Sequence, residues 1–262
     1  AENRALRPNE FEAASGAEAH SIALCPFCPG QESLTPPAVY TRSDERGQWR
    51  IRVVPNKFPA LSMEAESAAG PASPAFGVHE VIIESARHAE RMSALSVGEF
   101  AGILEAYRER LTHWRADCCL EHALVFKNLG GKAGASLAHV HSQLIALPQL
   151  APSATAEFQR AESHLADHGA CAYCQLIETE RTARDRIVLD RDGLIAFCPY
   201  ASLQPHEVWL MPTVHEPWFE RRPHAEAADK LAEVLQALLM RIEQIIPRLA
   251  YNVLLRTAPW CE

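Results

Sequence analysis

No apolar run among the 262 residues approaches the roughly 18 to 20 needed to span a bilayer, and the N-terminus lacks the charged-then-apolar layout of a secretory signal. A surplus of positive charge is missing too. The formal net charge is −8, which argues against an extended nucleic-acid surface, because phosphate backbones are held by excess Lys and Arg. These absences set aside membranes and nucleic-acid polymers as partners, and the expectation is a cytoplasmic protein. What is present is ordinary for a globular chain: 48% of residues are apolar and 22% charged, enough to bury one large core or two smaller ones. A nucleotide remains within reach of such a chain, held by backbone amides and a few polar side chains.

Four of the eight cysteines fall into two C-x-x-C pairs, Cys25/Cys28 and Cys171/Cys174. In a reducing compartment that spacing means metal or redox chemistry. The pairs serve either two separate sites or one four-cysteine zinc ribbon, although the gap between them is far longer than ribbons use. Cys118, Cys119, Cys198 and Cys261 show no ligand spacing and read as small buried hydrophobes or bystanders.

The chain also repeats itself. His79-Glu80-Val81 opens a strand-like run followed by His88, and His206-Glu207-Val208 opens another followed by His215, each second His standing nine positions after the first. Helix-spaced apolar residues come next, Phe100, Ile103, Leu104, Tyr107 and Leu111 in one half and Leu231, Val234, Leu235, Leu238, Leu239 and Ile242 in the other. Short apolar strands close each half, Ala123 to Phe126 and Asn252 to Leu255. This order predicts an α+β fold of two tandem units, residues 1–150 and 151–262, pseudo-twofold related, with antiparallel sheets and helices on one side. The Ala-rich stretch from Pro148 to His168 reads as a connection carrying a short helix, and Ser62 to Ala75 as a surface excursion.

The segment with the most chemistry runs from Asn128 through Gly130, Gly131, Gly134 and Ser136 to His139-Val140-His141-Ser142-Gln143. Glycines and small residues let backbone amides approach an anion, and the alternation H-x-H-x-Q on a strand puts His139, His141 and Gln143 on one face. An imidazole that attacks phosphorus needs a fixed neutral tautomer, a neighbour to orient it and donors for the phosphoryl oxygens. H-x-H also occurs in metallohydrolases, where both histidines bind catalytic zinc, but Ser142 and Gln143 do not supply the accompanying carboxylate. His79 and His206 read as structural histidines at strand starts, and His20, His113, His122, His164, His168 and His224 as surface residues.

G-A-S-x-x-H-x-H-S-Q after Asn128 resembles the active-site motif of the galactose-1-phosphate uridylyltransferases and their near relatives, the ADP-glucose phosphorylases. Cys25-Pro26-Phe27-Cys28-Pro29-Gly30, Arg52 to Leu61, the two H-E-V segments and Cys171-Ala172-Tyr173-Cys174 extend the likeness over nearly the whole chain. The resemblance implies tandem histidine-triad-like units and a nucleotidyl exchange in which His141 is the nucleophile. The reaction it implies is of the UDP-glucose:hexose-1-phosphate uridylyltransferase type, with a nucleoside diphosphate hexose as donor and a hexose 1-phosphate as acceptor; an ADP-glucose phosphorylase using inorganic phosphate is the alternative. A degenerate member that only binds sugar nucleotides is a further alternative.

The resemblance also implies roles for particular residues. Gln143 would hold a phosphoryl oxygen, Asn128, Gly134 and Ser136 would meet the phosphates, Asn56 and Phe58 would line the base and ribose pocket, and Arg4 and Arg7 would reach the phosphates. It assigns structural zinc to Cys25, Cys28, His88 and His139, and a second zinc to Cys171, Cys174, His215 and a fourth ligand. His139 lies fifty-one residues after His88, so that fourth ligand is expected near position ~266, beyond Glu262, in a chain expected to be trimmed at both ends with its second zinc incompletely held. A homodimer is implied as well. Two departures stand out: Val140 where many uridylyltransferases have Pro, and Lys57 where many relatives have Asp, which loosens the expectation of a uracil base.

Overall fold

The computed structural model describes residues 25–65, 75–221 and 226–260. Arg4, Arg7, His20, His224 and Cys261 lie outside the described residues. The chain forms two compact units, residues 1–149 with 219–262, and residues 150–218.

The first unit is built on a six-stranded sheet, every neighbouring pair antiparallel, in the order β1 (Tyr40–Ser43), β2 (Trp49–Pro55), β5 (Val78–Ile83), β7 (His141–Leu147), β6 (His122–Leu129) and β11 (Tyr251–Arg256). A short parallel pair, β3 (Leu61–Ser62) with β4 (Ala75–Phe76), stands apart from it. Strand alternation sorts the faces. On β6, Ala123, Val125, Lys127 and Leu129 are buried while Leu124, Phe126 and Asn128 are less so, and on β7 Ser142, Leu144 and Ala146 are buried on one face, with His141 buried at the start of the other.

Helix α1 (Val97–Arg115) begins where Ser96 accepts from the Glu99 amide and Glu99 reaches back to the Ser96 amide, a complete capping box. Its buried stripe, Phe100, Ile103, Leu104, Tyr107 and Leu111, has the three-and-four spacing expected from the sequence, and each such side chain contributes about 1.5–3 kcal/mol by leaving water. Helix α4 (Glu226–Ile245) packs against α1 and buries Val234, Leu238 and Leu239.

The division of the chain differs from a cut at 150, because the segment from Phe219 onward joins the first unit. β11 hydrogen-bonds along β6 in the register Asn252↔Asn128. A free β6 edge would leave backbone groups unpaired, and α4 supplies apolar cover for α1, so these late elements complete the early sheet.

The second unit holds α2 (Pro152–His168), α3 (Ala172–Ala183) and an antiparallel three-stranded sheet of β8 (Ile187–Arg191), β9 (Leu194–Phe197) and β10 (Trp209–Pro212), in the order β10-β9-β8. Ile177, Ile195 and Phe197 form its core. The connection carries a helix of 17 residues, longer than the sequence suggests, opened by Pro152 and closed by Gly169 at φ 66.

Candidate active site

β7 opens at His141, so the strand alternation starts there and not at His139. His139 lies in the turn before the strand, with Nε2 2.8 Å from the Ser85 carbonyl and Nδ1 toward the thiols of Cys25 and Cys28 at 3.5 and 3.6 Å. It therefore does not share a strand face with His141 and Gln143. Its backbone does the orienting: the His139 carbonyl lies 2.8 Å from His141 Nδ1. A carbonyl only accepts, so His141 is protonated at Nδ1 and its Nε2 lone pair is free. Burial first, then the nearby Lys127 ammonium, push the His141 pKa below the usual histidine value, which keeps the ring neutral. Phe27, from the first C-x-x-C turn, sets its ring against that of His141 at 5.2 Å.

Gln143 follows one pleat along the same face, partly buried. Its Oε1 lies 2.7 Å from His79 Nε2 and 3.4 Å from Asn56 Nδ2. Asn56 is fixed in turn, its Oδ1 accepting from the Phe58 amide at 2.9 Å, and the Phe58 ring is half exposed beside it. Asn128 lies one pleat beyond the Phe126–Gln143 pair, at the His141 end of the same face. Between β6 and β7, Gly130 takes φ 85 and Gly134 φ 91, conformations that L residues avoid. A Cβ on Gly130 would stand 2.9 Å from that of Ala250. Ser136 is exposed in this loop. The structure thus brings Asn56, Asn128, His141 and Gln143 to one region of one sheet.

Beneath His141, on the buried face, Glu84 gathers side chains from three elements. It accepts from Tyr107 of α1 at 2.6 Å, from Ser142 of β7, and from the Lys127 ammonium of β6 at 2.5 Å, and Lys127 also donates to the His141 carbonyl at 2.9 Å. Burial by itself would raise the Glu84 carboxyl, but the Lys127 charge and these hydrogen bonds outweigh it and hold the pKa below the usual range.

Cys25, Cys28, His88 and His139 bring their donor atoms within 4.8 Å of one another. Tetrahedral zinc with the usual bond lengths separates sulfur and nitrogen ligands by roughly 3.6 Å, and the three S···N distances here are 3.3, 3.5 and 3.6 Å. The Ser85 carbonyl fixes the His139 tautomer with Nδ1 toward that centre, as metal-binding histidines require. Desolvation, with the Cys25 thiol close by, pushes the Cys28 thiol up to about 11 in the absence of a cation. The donor set fits zinc. Cys171, Cys174 and His215 form a second, more open group, Cys174 Sγ standing 3.3 Å from His215 Nδ1. The two cysteine pairs each have their own histidines and do not form one ribbon. Cys118 and Cys119 are exposed in the turn after α1, and no chemistry converges on them beyond Asp117.

With this geometry in view, the family model described as galactose-1-phosphate uridyl transferase, N-terminal domain, matches residues 5–151, more than half of the chain. The chain belongs to this family. An ADP-glucose phosphorylase from Arabidopsis thaliana is 29% identical to it over 98% of this chain and 74% of its own length. A galactose-1-phosphate uridylyltransferase from Haemophilus influenzae is 24% identical over 84% of this chain and 62% of its own length. The crystal structure of an Arabidopsis thaliana ADP-glucose phosphorylase with bound ADP-glucose has a TM-score of 0.80 and 29% identity, covering 90% of this chain and 74% of that one.

Four residues that touch this cluster lie outside the motif: Phe27 against His141, Glu84 and Lys127 beneath it, and Asn252 against Asn128. Only Phe27 had a signal, as the apolar residue inside C-x-x-C. His79 is not merely a strand-start histidine, since it touches Gln143, whereas its repeat counterpart His206 is exposed at φ 61. No helix among the described residues is long and apolar enough to cross a membrane.

Proposed function

We propose that this family member transfers a nucleoside monophosphate through a covalent nucleotidyl-His141, in the manner of an ADP-glucose phosphorylase. The observation that carries the proposal is the His141–His139 hydrogen bond, which frees Nε2 of a buried neutral imidazole beside a glycine-rich loop and two carboxamides. His141 Nε2 attacks the α-phosphorus of the nucleoside diphosphate hexose, the N–P bond forms, and the P–O bond to hexose 1-phosphate breaks. An oxygen of inorganic phosphate then attacks the same phosphorus, the N–P bond breaks, and the nucleoside diphosphate leaves. During the first step the ring gains positive charge, which its Nδ1–H shares with the His139 carbonyl. Gln143 and Asn128 would offer donors to the phosphoryl oxygens, and the family resemblance gives Asn56 and Phe58 the base and ribose side of the site.

Cys25, Cys28, His88 and His139 would hold a zinc ion as a structural anchor beside His141, and as four protein donors they would leave the chemistry to the imidazole. Cys171, Cys174 and His215 would hold a second ion more loosely. Two relationships support a duplicated, pseudo-twofold origin: β6 and β11, the strands that close the two halves, pair antiparallel, and C-x-x-C meets a later histidine in both halves. The assembly inferred from the family resemblance is a homodimer, which light scattering would check.

Phosphate as acceptor is favoured by the relative aligned over nearly the whole chain. Uridylyl exchange with a second hexose 1-phosphate is the other reading, favoured by the match to the uridyl transferase family model. The test offers ADP-glucose and UDP-glucose, each with inorganic phosphate or galactose 1-phosphate, and follows the products. ADP released in proportion to phosphate supports the phosphorylase, and UDP-galactose from UDP-glucose would replace it with the transferase.

A further inference from the structure

Gln143 serves this chemistry only if its amide nitrogen, and not its oxygen, points at the phosphoryl group, because two oxygens facing each other repel. A carboxamide is nearly symmetrical in shape, so packing alone does not choose between the orientations. The choice follows from its neighbours. His79 Nδ1 lies 3.0 Å from the Ala60 backbone nitrogen, an N–H that only donates, so Nδ1 is the acceptor and Nε2 carries the proton. Nε2–H then donates to Gln143 Oε1 at 2.7 Å. Asn56 stands beside this link, its Nδ2 3.0 Å from His79 Nε2 and 3.4 Å from the same Gln143 oxygen while its Oδ1 is taken by the Phe58 amide; with Nδ1 of His79 accepting from Ala60, the two nitrogens are both donors aimed at Gln143 Oε1, and His79 is the nearer. With Oε1 so occupied, Gln143 Nε2 is left to face outward on the strand face that carries His141. Burial lowers the pKa of His79, which keeps the ring in the one-proton form this chain of bonds requires.

We infer that His79 is a positioning residue that locks the Gln143 carboxamide so that its N–H edge meets the phosphoryl oxygen of the nucleotide on His141. This rests on the function proposed above and deepens it. The chain of bonds runs Ala60 N–H, His79, Gln143, phosphoryl oxygen, with the proton direction fixed at its first link by a backbone amide.

Two substitutions separate the lock from the fold. His79→Asn places a carbonyl near Nδ1 and keeps the bond to Ala60 but loses the donor to Gln143. His79→Gln places an amide nitrogen near Nε2 and keeps that donor. Removing a preorganised oxyanion donor costs about 10²–10³ in rate, so Gln143→Ala sets the ceiling, and His79→Asn is expected to slow single-turnover nucleotidylation about tenfold, within that range. Donor Kd should change little, and His79→Gln should recover most of the rate. In the Gln143→Ala background, His79→Asn should have no further effect. Multiplying losses in the double variant, or a full rate in His79→Asn, would overturn the inference while leaving nucleotidyl transfer intact. Should the unsubstituted protein form no adduct at all, the function fails instead, and ¹⁵N NMR still decides the lock. A His79 ring protonated at Nε2 is the expected result, and protonation at Nδ1 overturns it.

Discussion

Asn252 of β11 holds Asn128 of β6: its Nδ2 stands 2.7 Å from Asn128 Oδ1 and 3.0 Å from the Ala133 carbonyl. One late side chain thus turns the Asn128 amide nitrogen outward and anchors the glycine-rich loop. Asn252→Ala removes both bonds, each worth about 1 kcal/mol, and should slow nucleotidylation about five- to thirtyfold while lowering the melting temperature by only about 5 °C. Stopped kinetics alongside calorimetry check this, and a large stability loss with an unchanged rate would make Asn252 a strand-pairing residue only.

The buried pair of Glu84 and Lys127 yields a prediction in which two substitutions are milder than one. Glu84→Gln leaves the Lys127 ammonium buried without its counter-charge, at a cost of about 3–5 kcal/mol. Glu84→Met with Lys127→Met removes both charges and should recover much of that loss, although His141 then lacks the donor to its carbonyl and the rate stays low. Denaturant titrations of the three proteins distinguish this from a pair that contributes nothing.

The same carboxylate sets an acid limit. Its folded pKa lies below the ordinary 4.5, so as pH falls the unfolded chain takes the proton first. The stability it contributes is therefore complete above 4.5 and is lost as pH drops through the depressed folded value. Midpoints of urea unfolding between pH 6 and pH 3 should fall less steeply for Glu84→Gln than for the unsubstituted protein. Parallel curves would show that Glu84 is not ionised in the fold.

Metal removal should act on stability before chemistry. A closed four-donor site held at a thousandfold over its Kd stabilises by about 4 kcal/mol, so chelation should lower the melting temperature by on the order of 10 °C. Cys28→Ser should reproduce most of this. Zinc bound by Cys171, Cys174 and His215 should leave at lower chelator concentration, and Cys174→Ser should abolish that early release alone. If instead brief chelation stops turnover in a protein that stays folded, zinc is part of the reaction.

Much of this was legible in the sequence because local rules carried it. The helix spacing from Phe100 to Leu111 and the strand at Ala123 to Phe126 follow periodicity, whereas the grouping of Cys25, Cys28, His88 and His139 is implied by the family resemblance, and the structure holds all three. What escaped depends on pairing across long sequence separations. Nothing near Asn252 reveals that β11 completes the sheet of β6, since register is decided by an edge more than a hundred residues away. Glu84 and Lys127 look like surface charges until α1, β6 and β7 meet around them. The start of β7 at His141 was also hidden: His139 is drawn out of the strand by the thiols and the Ser85 carbonyl, a tertiary demand that overrides alternation.

The central claim is the covalent nucleotide on His141, and intact-protein mass spectrometry after brief incubation with ADP-glucose or UDP-glucose tests it most directly. An added adenylyl or uridylyl mass that disappears in His141→Ala and on adding phosphate or hexose 1-phosphate is the predicted result. No adduct with either donor from a folded, metal-loaded protein, or an adduct that survives His141→Ala, would contradict the account.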